Sequence, residues 1–125
     1  MKVSKIFAGI ALLAAAVPAV AQDTDAQRLY ETHCGVCHQL DGGGVPMLQP
    51  ELIGRPRANG PKGGVINVIL QGSAALLPTE SDYGNEMPSF AHLSDLEIAL
   101  IASYVRTNFS NNGGPVTADD VKSLR

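Results

Sequence analysis

Two cysteines followed at once by a histidine constrain this chain more than any other feature. Residues 34–38 read Cys-Gly-Val-Cys-His, and the chain has no further cysteine. A C-x-x-C-H run is the attachment site of a c-type haem. Each cysteine can form a thioether with one haem vinyl group, and the two intervening residues set a matching separation. The sequence therefore predicts one haem c, bound covalently through Cys34 and Cys37, with His38 as a ligand to its iron.

The same spacing has a competing interpretation as a redox-active disulfide between Cys34 and Cys37. A thioredoxin-type site requires a strand ahead of the motif and alternating strands and helices around it. The sequence on either side has neither pattern, so haem attachment is the favoured interpretation.

Residues 1–21 are typical of a secretory signal. Lys2 and Lys5 precede an uncharged apolar segment at residues 6–17, and residues 19–21 read Ala-Val-Ala, a cleavage signature. The apolar segment is shorter than the ~20 residues that span a bilayer, which argues against a stable membrane anchor. We expect cleavage after Ala21, a single domain at residues 22–125, and a periplasmic location, where haem is attached to exported chains.

Charge restricts the class of partner. Removing Lys2 and Lys5 from the nine basic residues leaves seven against 12 acidic ones, a net charge of −5. A negative surface repels phosphate backbones, which argues against nucleic acid. It is compatible with docking to a basic patch on a redox protein, and equally with a role in solubility alone.

Helical patterns joined by long loops rich in glycine and proline predict a small all-α fold of about four to five helices around the haem. The predicted helices cover residues 24–33, 65–71, 94–107 and 117–124. Capping boxes begin the last two helices, Ser94 with Glu97 and Thr117 with Asp120. Residues 65–71 are rich in β-branched side chains, so a strand is the alternative there, with Gly72 as the stop signal. Residues 41–64 and 73–89 are predicted to be loops and turns.

The opposite face of the haem needs a second ligand for fast electron transfer, or a vacancy for chemistry, and the candidate ligands are Met87, Met47, His33 and His92. Met87 is favoured because it lies in a long loop ahead of the strongest helix, and Pro88 restricts it to an extended backbone. A thioether ligand favours Fe(II) and raises the reduction potential.

The other three candidates have simpler explanations. Met47 follows His38 by nine residues on the proximal side of the chain, so core packing is its better interpretation. His33 directly precedes Cys34 and cannot reach over the ring. His92 is typical of a surface residue, although ligation by His38 and His92 remains the main rival.

These features resemble class I cytochromes c over nearly all of the predicted mature chain. The motif at residues 34–38 carries most of the resemblance, and residues 50–54, Pro-Glu-Leu-Ile-Gly, resemble the family's Pro-x-Leu-x-Gly loop. The resemblance implies that Pro50 and Leu52 belong to the haem site. It also implies that the Pro50 carbonyl accepts a hydrogen bond from His38 Nδ1, which would fix the imidazole tautomer.

By the same resemblance, Met87 takes the place of the distal methionine. Tyr104 takes the place of an aromatic residue on the last core helix. In the family this residue packs against a side chain one turn before the first haem cysteine, a place that Tyr30 occupies here. Residues 87–90 (Met-Pro-Ser-Phe) and 112–116 (Asn-Gly-Gly-Pro-Val) are similar to small monohaem cytochromes, and to cytochrome c domains, that serve periplasmic dehydrogenases and reductases.

The leading hypothesis is a periplasmic single-electron carrier whose iron cycles between Fe(II) and Fe(III), with a dehydrogenase, reductase or terminal oxidase as redox partner. The alternative is a fixed electron-transfer subunit of a periplasmic dehydrogenase complex. A haem enzyme or gas sensor with an open distal site is less favoured, because no catalytic constellation is evident. We therefore expect no enzymatic activity. Arg55 and Arg57 either pair with a haem propionate or are solvated.

Overall fold

The computed structural model describes residues 19–79 and 82–125, which form an all-α fold. Its helices are α1 (Ala19–His33), α2 (Gly35–His38), α3 (Pro56–Asn59), α4 (Lys62–Gln71), α5 (Asp95–Thr107) and α6 (Ala118–Lys122). The described ranges contain no strand beyond an isolated antiparallel bridge between Val45 and Gln49. The all-α prediction is confirmed. The helices exceed the four to five expected because α2 and α3 are single turns of four residues.

The first helix begins earlier than predicted, at Ala19 rather than at residue 24. Most of the predicted signal, residues 1–18, lies outside the described residues, so the signal peptide and its cleavage after Ala21 stay predictions. Within the described ranges, no helix is both long enough and apolar enough to cross a bilayer.

An aromatic cluster joins α1 to α5. Tyr30 is fully buried, and its ring centroid lies 5.1 Å from that of Tyr104 and 5.1 Å from that of Phe109. Its hydroxyl donates a hydrogen bond of 2.7 Å to the Gln39 carbonyl, which satisfies the buried phenol. The expected contact between Tyr30 and Tyr104 is confirmed, and Phe109 adds a third ring that the sequence analysis missed.

Both predicted capping boxes are present. Ser94 accepts a hydrogen bond from the Glu97 amide, and the Glu97 carboxylate accepts one from the Ser94 amide. Thr117 and Asp120 make the same reciprocal pair at the start of α6. Buried residues recur every three or four positions along α5, which turns one face of the helix toward the core: Ile98, Ile101, Ala102 and Val105.

The predicted loop at residues 41–64 is wrong at its end, where α3 and the first turn of α4 lie. Pro56 occupies the first turn of α3, where its fixed φ suits a helix and its missing amide hydrogen costs nothing. Helix α4 begins at Lys62 despite two glycines, of which Gly64 lies close to the Arg57 side chain. Tertiary packing therefore overrides the low helix propensity of glycine here.

Residues 65–71 are helical rather than extended, and Gly72 ends the helix as predicted. The Gly72 amide donates to the Val68 carbonyl, and its φ of +63° lies in the left-handed region that favours glycine. A 3₁₀ turn over Gly72–Ala75 follows, at the start of the segment predicted as loop.

A buried arginine, which the sequence analysis did not anticipate, ties two loops together. Arg106 is 2% exposed, and its guanidinium donates to three backbone carbonyls, those of Gly60, Gly113 and Gly114. Next to this network, Asn111 Nδ2 donates to the carbonyls of Leu52 and Val105, at 2.9 and 2.8 Å. The amide of Asn111 thereby holds the loop that carries Leu52 against α5.

Candidate functional site

The C-x-x-C-H motif forms the single turn of α2. The turn follows α1 almost without interruption, since the Cys34 amide donates to the Tyr30 carbonyl and the His38 amide to the Cys34 carbonyl. Cys34 is buried and Cys37 exposed, and both are free thiols. Burial, followed by the charge of Cys37, raises the pKa of the Cys34 thiol to about 12. A helix precedes the motif where a thioredoxin-type site needs a strand, which contradicts the disulfide interpretation.

His38 is oriented by one backbone carbonyl. It is buried, and its Nδ1 lies 2.9 Å from the Pro50 oxygen. Because a carbonyl only accepts, Nδ1 must carry the hydrogen, which leaves Nε2 of the neutral ring with a free lone pair. Burial lowers the pKa of His38, against the weaker raising effect of the Pro50 hydrogen bond. The neutral tautomer is therefore favoured, and it is the form that ligates a metal.

The Pro50 carbonyl is held in place by a tight turn. The Gly44 amide donates to the His38 carbonyl at 2.9 Å, and Val45 and Gln49 exchange both backbone hydrogen bonds. Gly44 has a φ of +64°, and a Cβ there would lie 2.6 Å from the Pro50 oxygen. Only glycine fits at this position, a requirement that the sequence analysis missed.

One cavity of about 460 Å³ adjoins the motif. Cys34, Cys37, His38 and Met87 all line it, as do Pro50 and Leu52. Much of its wall is apolar and comes from α4 and α5: Val65, Val68, Ile69, Ile101 and Val105. The structure therefore brings every predicted site residue to a single cavity.

Met87 lies half-buried at the end of the loop that follows the 3₁₀ turn. Its amide donates to Ser73 Oγ at 2.7 Å, and its carbonyl accepts from the Ser73 amide at 3.0 Å. Farther back in the same loop, the Gly84 amide donates to the Met47 carbonyl at 2.8 Å. The loop is thus attached at several points, of which the one at Ser73 holds the Met87 backbone itself.

The rival ligands lie elsewhere or in poorer positions. Met47 is 78% exposed and does not line the cavity, so its predicted role in core packing is wrong. It occupies the tip of the turn closed by Val45 and Gln49, which turns it toward solvent. His92 is exposed and also lies off the cavity. His33 does line the cavity, with its ring 5.9 Å from that of Phe90 in an edge-on contact.

Arg55 and Arg57 both line the cavity. Arg55 forms an ion pair of 2.7 Å with Glu51, and both side chains are about half exposed. Such an exposed ion pair contributes little to stability. Arg55 would therefore lose little by exchanging Glu51 for a haem propionate.

The donor set and volume of the cavity fit a haem. The volume lies in the ~300–1,000 Å³ range of cofactor pockets. An imidazole with a free Nε2 and a thioether are the axial ligands of many c-type haems. The two cysteines reach the same cavity from α2. These residues would attach the ring at one side and ligate its iron, while the aliphatic wall would cover its faces.

Comparison with known proteins agrees with this fit. The family model Cytochrome c matches residues 24–109. Cytochrome c-552 of Thermus thermophilus is 32% identical over 111 residues, a match that covers 81% of this chain and 84% of that protein.

Two longer relatives are subunits of dehydrogenases. The cytochrome c subunit of the quinone alcohol dehydrogenase of Gluconobacter oxydans is 37% identical over 101 residues, covering 78% of this chain and 21% of the subunit. The fructose dehydrogenase cytochrome subunit of Gluconobacter japonicus is 36% identical over 111 residues, covering 82% of this chain and 22% of the subunit. The chain thus spans about a fifth of the length of these subunits.

Proposed function

The chain belongs to the cytochrome c family of electron-transfer proteins, whose cofactor is haem c with its iron, and on that premise we propose that it carries single electrons in the periplasm with His38 and Met87 as axial ligands. One observation carries the proposal. His38 and Met87 line the same largely apolar cavity, to which Cys34 and Cys37 also contribute.

Each residue has a defined task in this proposal. Cys34 and Cys37 anchor the ring, and Pro50 holds His38 in the tautomer that leaves Nε2 free. When bound, the haem supplies a one-electron couple between Fe(II) and Fe(III). The aliphatic side chains of α4 and α5 exclude water from the cavity. Keeping both protein ligands in place in both oxidation states limits the rearrangement that accompanies electron transfer.

The compartment follows from the predicted signal. Residues 1–21 carry an export pattern. Export would bring the chain, with Cys34 and Cys37 as free thiols, to the compartment where haem is attached. We propose that the signal is cleaved after Ala21 and that the cytochrome c domain spans residues 22–125.

Such a carrier works in one of two modes, as a free protein or as a subunit of a complex. The match to most of cytochrome c-552 supports a free carrier. The dehydrogenase subunits support a second mode, in which the chain transfers electrons inside a fixed complex with a periplasmic dehydrogenase. Gel filtration of the chain co-expressed with its genomic neighbours separates the two modes. A lasting complex supports the subunit mode, whereas elution at the size of one chain supports the free carrier.

Met87→Ala tests the axial ligation. In the wild-type ferric protein we expect a weak long-wavelength band from the bond between the methionine sulfur and iron. Met87→Ala should abolish this band and lower the reduction potential by a sizeable part of the ~0.8 V that axial ligands span. Visible spectra of both oxidation states and a redox titration measure the two effects.

Met47→Ala is the matched control, because Met47 is exposed and lies off the cavity. It should leave band and potential unchanged. A wild-type protein that lacks the band, with a spectrum unaltered by Met87→Ala, would contradict the ligation. His92→Ala would then test the histidine rival, and rapid CO binding by the ferrous form would support an open distal site.

A further inference from the structure

Two reciprocal hydrogen bonds clamp the backbone of Met87 to Ser73. The Met87 amide donates to Ser73 Oγ at 2.7 Å, and the Ser73 amide donates to the Met87 carbonyl at 3.0 Å. Both polar groups of the Met87 backbone are therefore bonded to one residue. Ser73 and Met87 also line the same cavity.

Gly72 lets the two segments approach closely enough for this clamp. It has a φ of +63°, and a Cβ at this position would lie 2.1 Å from the Met87 carbonyl oxygen. A side chain there would push Met87 away from Ser73. The sequence pair Gly72 and Ser73 thus combines a turn that only glycine permits with the hydroxyl that accepts from Met87.

The clamp acts at the end of a long loop. Met87 ends a long loop, and Pro88 after it has no amide hydrogen to donate. A loop of this length gains conformational entropy when its end is released, which opposes any bond made by the side chain at that end. The Ser73 hydrogen bonds reduce this freedom before the thioether binds.

We propose that Ser73 is a positioning residue for Met87, and that its hydroxyl holds the methionine sulfur at the haem iron against competing ligands. This inference rests on the proposed ligation by His38 and Met87. Ser73 itself does not touch the iron in this scheme. It acts by fixing the backbone from which the Met87 side chain extends.

Ser89 offers a matched control in the same segment. Its hydroxyl donates to the Leu70 carbonyl at 2.6 Å, so it also attaches this loop to the end of α4. It makes no hydrogen bond to Met87 among the described residues. Ser89→Ala therefore removes a comparable hydroxyl anchor without releasing the Met87 amide.

The experiment is an imidazole titration of the ferric holoprotein, followed by the visible spectrum. Imidazole can bind the iron only after Met87 leaves. Its apparent Kd is therefore inversely proportional to the fraction of protein in which Met87 is off the iron. Loss of one hydrogen bond should make imidazole bind roughly three- to tenfold more tightly to Ser73→Ala. Ser73→Thr, which keeps a hydroxyl, and Ser89→Ala should stay near the wild-type Kd.

Amide hydrogen exchange in the wild-type holoprotein gives a test that needs no variant. The Met87 amide should exchange more slowly than that of Glu86, which is exposed. Equal exchange at the two amides would overturn the inference even if Ser73→Ala failed to load haem.

The outcomes separate this inference from the proposed function. If the wild type shows the methionine band and Ser73→Ala binds imidazole no more tightly than Ser89→Ala, the role of Ser73 is overturned while Met87 ligation stands. If the wild type shows no methionine band and Met87→Ala leaves the imidazole Kd unchanged, the ligation fails and the Ser73 inference fails with it. Tighter binding in Ser73→Ala, restored by Ser73→Thr, supports the inference.

Discussion

Single backbone carbonyls and single glycines organise the site at the residue scale. The Pro50 carbonyl selects the tautomer of His38, and Gly44 lets that carbonyl come close. The pKa of His38 is lowered although Pro50 accepts a hydrogen bond from it, so burial outweighs the hydrogen bond. A buried imidazolium would be costly, and the neutral ring is the form with a lone pair for a metal.

Gly72→Ala should destabilise the protein more than Gly54→Ala does. Both glycines have a φ of +63°, so a side chain is strained at either position, by about 1–3 kcal/mol. Only at Gly72 would the new methyl group collide with the Met87 carbonyl, because nothing lies within 4 Å of a Cβ at Gly54. Chemical denaturation of the two holoproteins, with the spectrum of each, measures the difference.

Equal losses of unfolding free energy in Gly72→Ala and Gly54→Ala would contradict this expectation. Equal losses would mean that the segment containing Met87 moves away from the new methyl group with no further loss of unfolding free energy. We expect instead that Gly72→Ala also weakens the methionine band, and that Gly54→Ala leaves it intact.

At the element scale, contacts between helices from opposite ends of the chain carry the fold. Helices α1 and α5 share the aromatic cluster, and α6 is linked to α4 by the ion pair between Lys62 and Asp120, at 2.7 Å. The first contact is buried and the second is partly exposed. Their expected contributions differ accordingly, since aromatic burial outweighs a surface ion pair.

Tyr30 should show the size of the buried contact. Tyr30→Ala leaves a cavity between α1 and α5 and should cost about 3–5 kcal/mol of unfolding free energy. Tyr30→Phe keeps the ring and loses only the hydrogen bond to the Gln39 carbonyl, for about 1 kcal/mol. Denaturant titration monitored by circular dichroism measures both.

Tyr104→Phe is the control for the hydroxyl, because the Tyr104 hydroxyl has no hydrogen-bond partner among the described residues. It should be nearly neutral. A Tyr30→Phe variant as stable as Tyr104→Phe would show that the bond to Gln39 contributes nothing.

Asp120 should make the stability depend on acid pH. The Lys62 side chain, followed by the Thr117 cap, lowers the pKa of Asp120 to about 2. The unfolded carboxyl titrates near 3.9. Between these values the unfolded state binds more protons, so the contribution of Asp120 is complete above about pH 4 and is lost as the pH falls toward 2. The stability difference between wild type and Asp120→Asn should shrink over that interval.

Thermal unfolding at pH 5, 4, 3 and 2 measures this dependence. Asp119→Asn removes the same charge from the same turn of α6 without touching the pair with Lys62, and should have a smaller effect. A difference between wild type and Asp120→Asn that stays constant from pH 5 to pH 2 would contradict the assignment.

At the scale of the whole molecule, the helices form a hydrophobic core with a large cavity beside it. Apolar side chains of α4 and α5 that belong to the core also line this space. A small domain buries a limited apolar area, so a cofactor that fills such a cavity supplies much of its packing. Buried Arg106 adds to the packing by holding two loops with one guanidinium.

Removal of the haem should therefore unfold much of the domain. A chain with Cys34→Ala and Cys37→Ala cannot retain haem covalently, and its apolar cavity wall would be wetted or would collapse. We expect the free energy of unfolding to fall by roughly 5 kcal/mol or more, comparable to the whole stability of a marginal domain. Circular dichroism and denaturant titration compare it with the haem-loaded chain.

Val36→Ala is the control, since it changes an exposed residue of the same motif and keeps both cysteines. It should bind haem and retain its helices. A haem-free chain as helical and as stable as Val36→Ala would contradict the central role of the cofactor in packing.

The sequence alone determined the features that depend on short spacing. The cysteine pair with His38, the helix beginning at Ser94 and the capping box at Thr117 each involve residues within one turn, so local chemistry specifies them. Resemblance to known cytochromes added the pairing of His38 with Pro50 and of Tyr30 with Tyr104, and both contacts are present.

Only the tertiary structure decided what depends on distant residues. The clamp between Ser73 and Met87, the burial of Arg106 and the exposure of Met47 have no local sequence signal. Each is set by which loops meet across the cavity, a choice made by the packing of the whole chain. A hydroxyl or a glycine looks the same in sequence whether it faces water or the backbone of a distant loop, and only its neighbours in space distinguish the two.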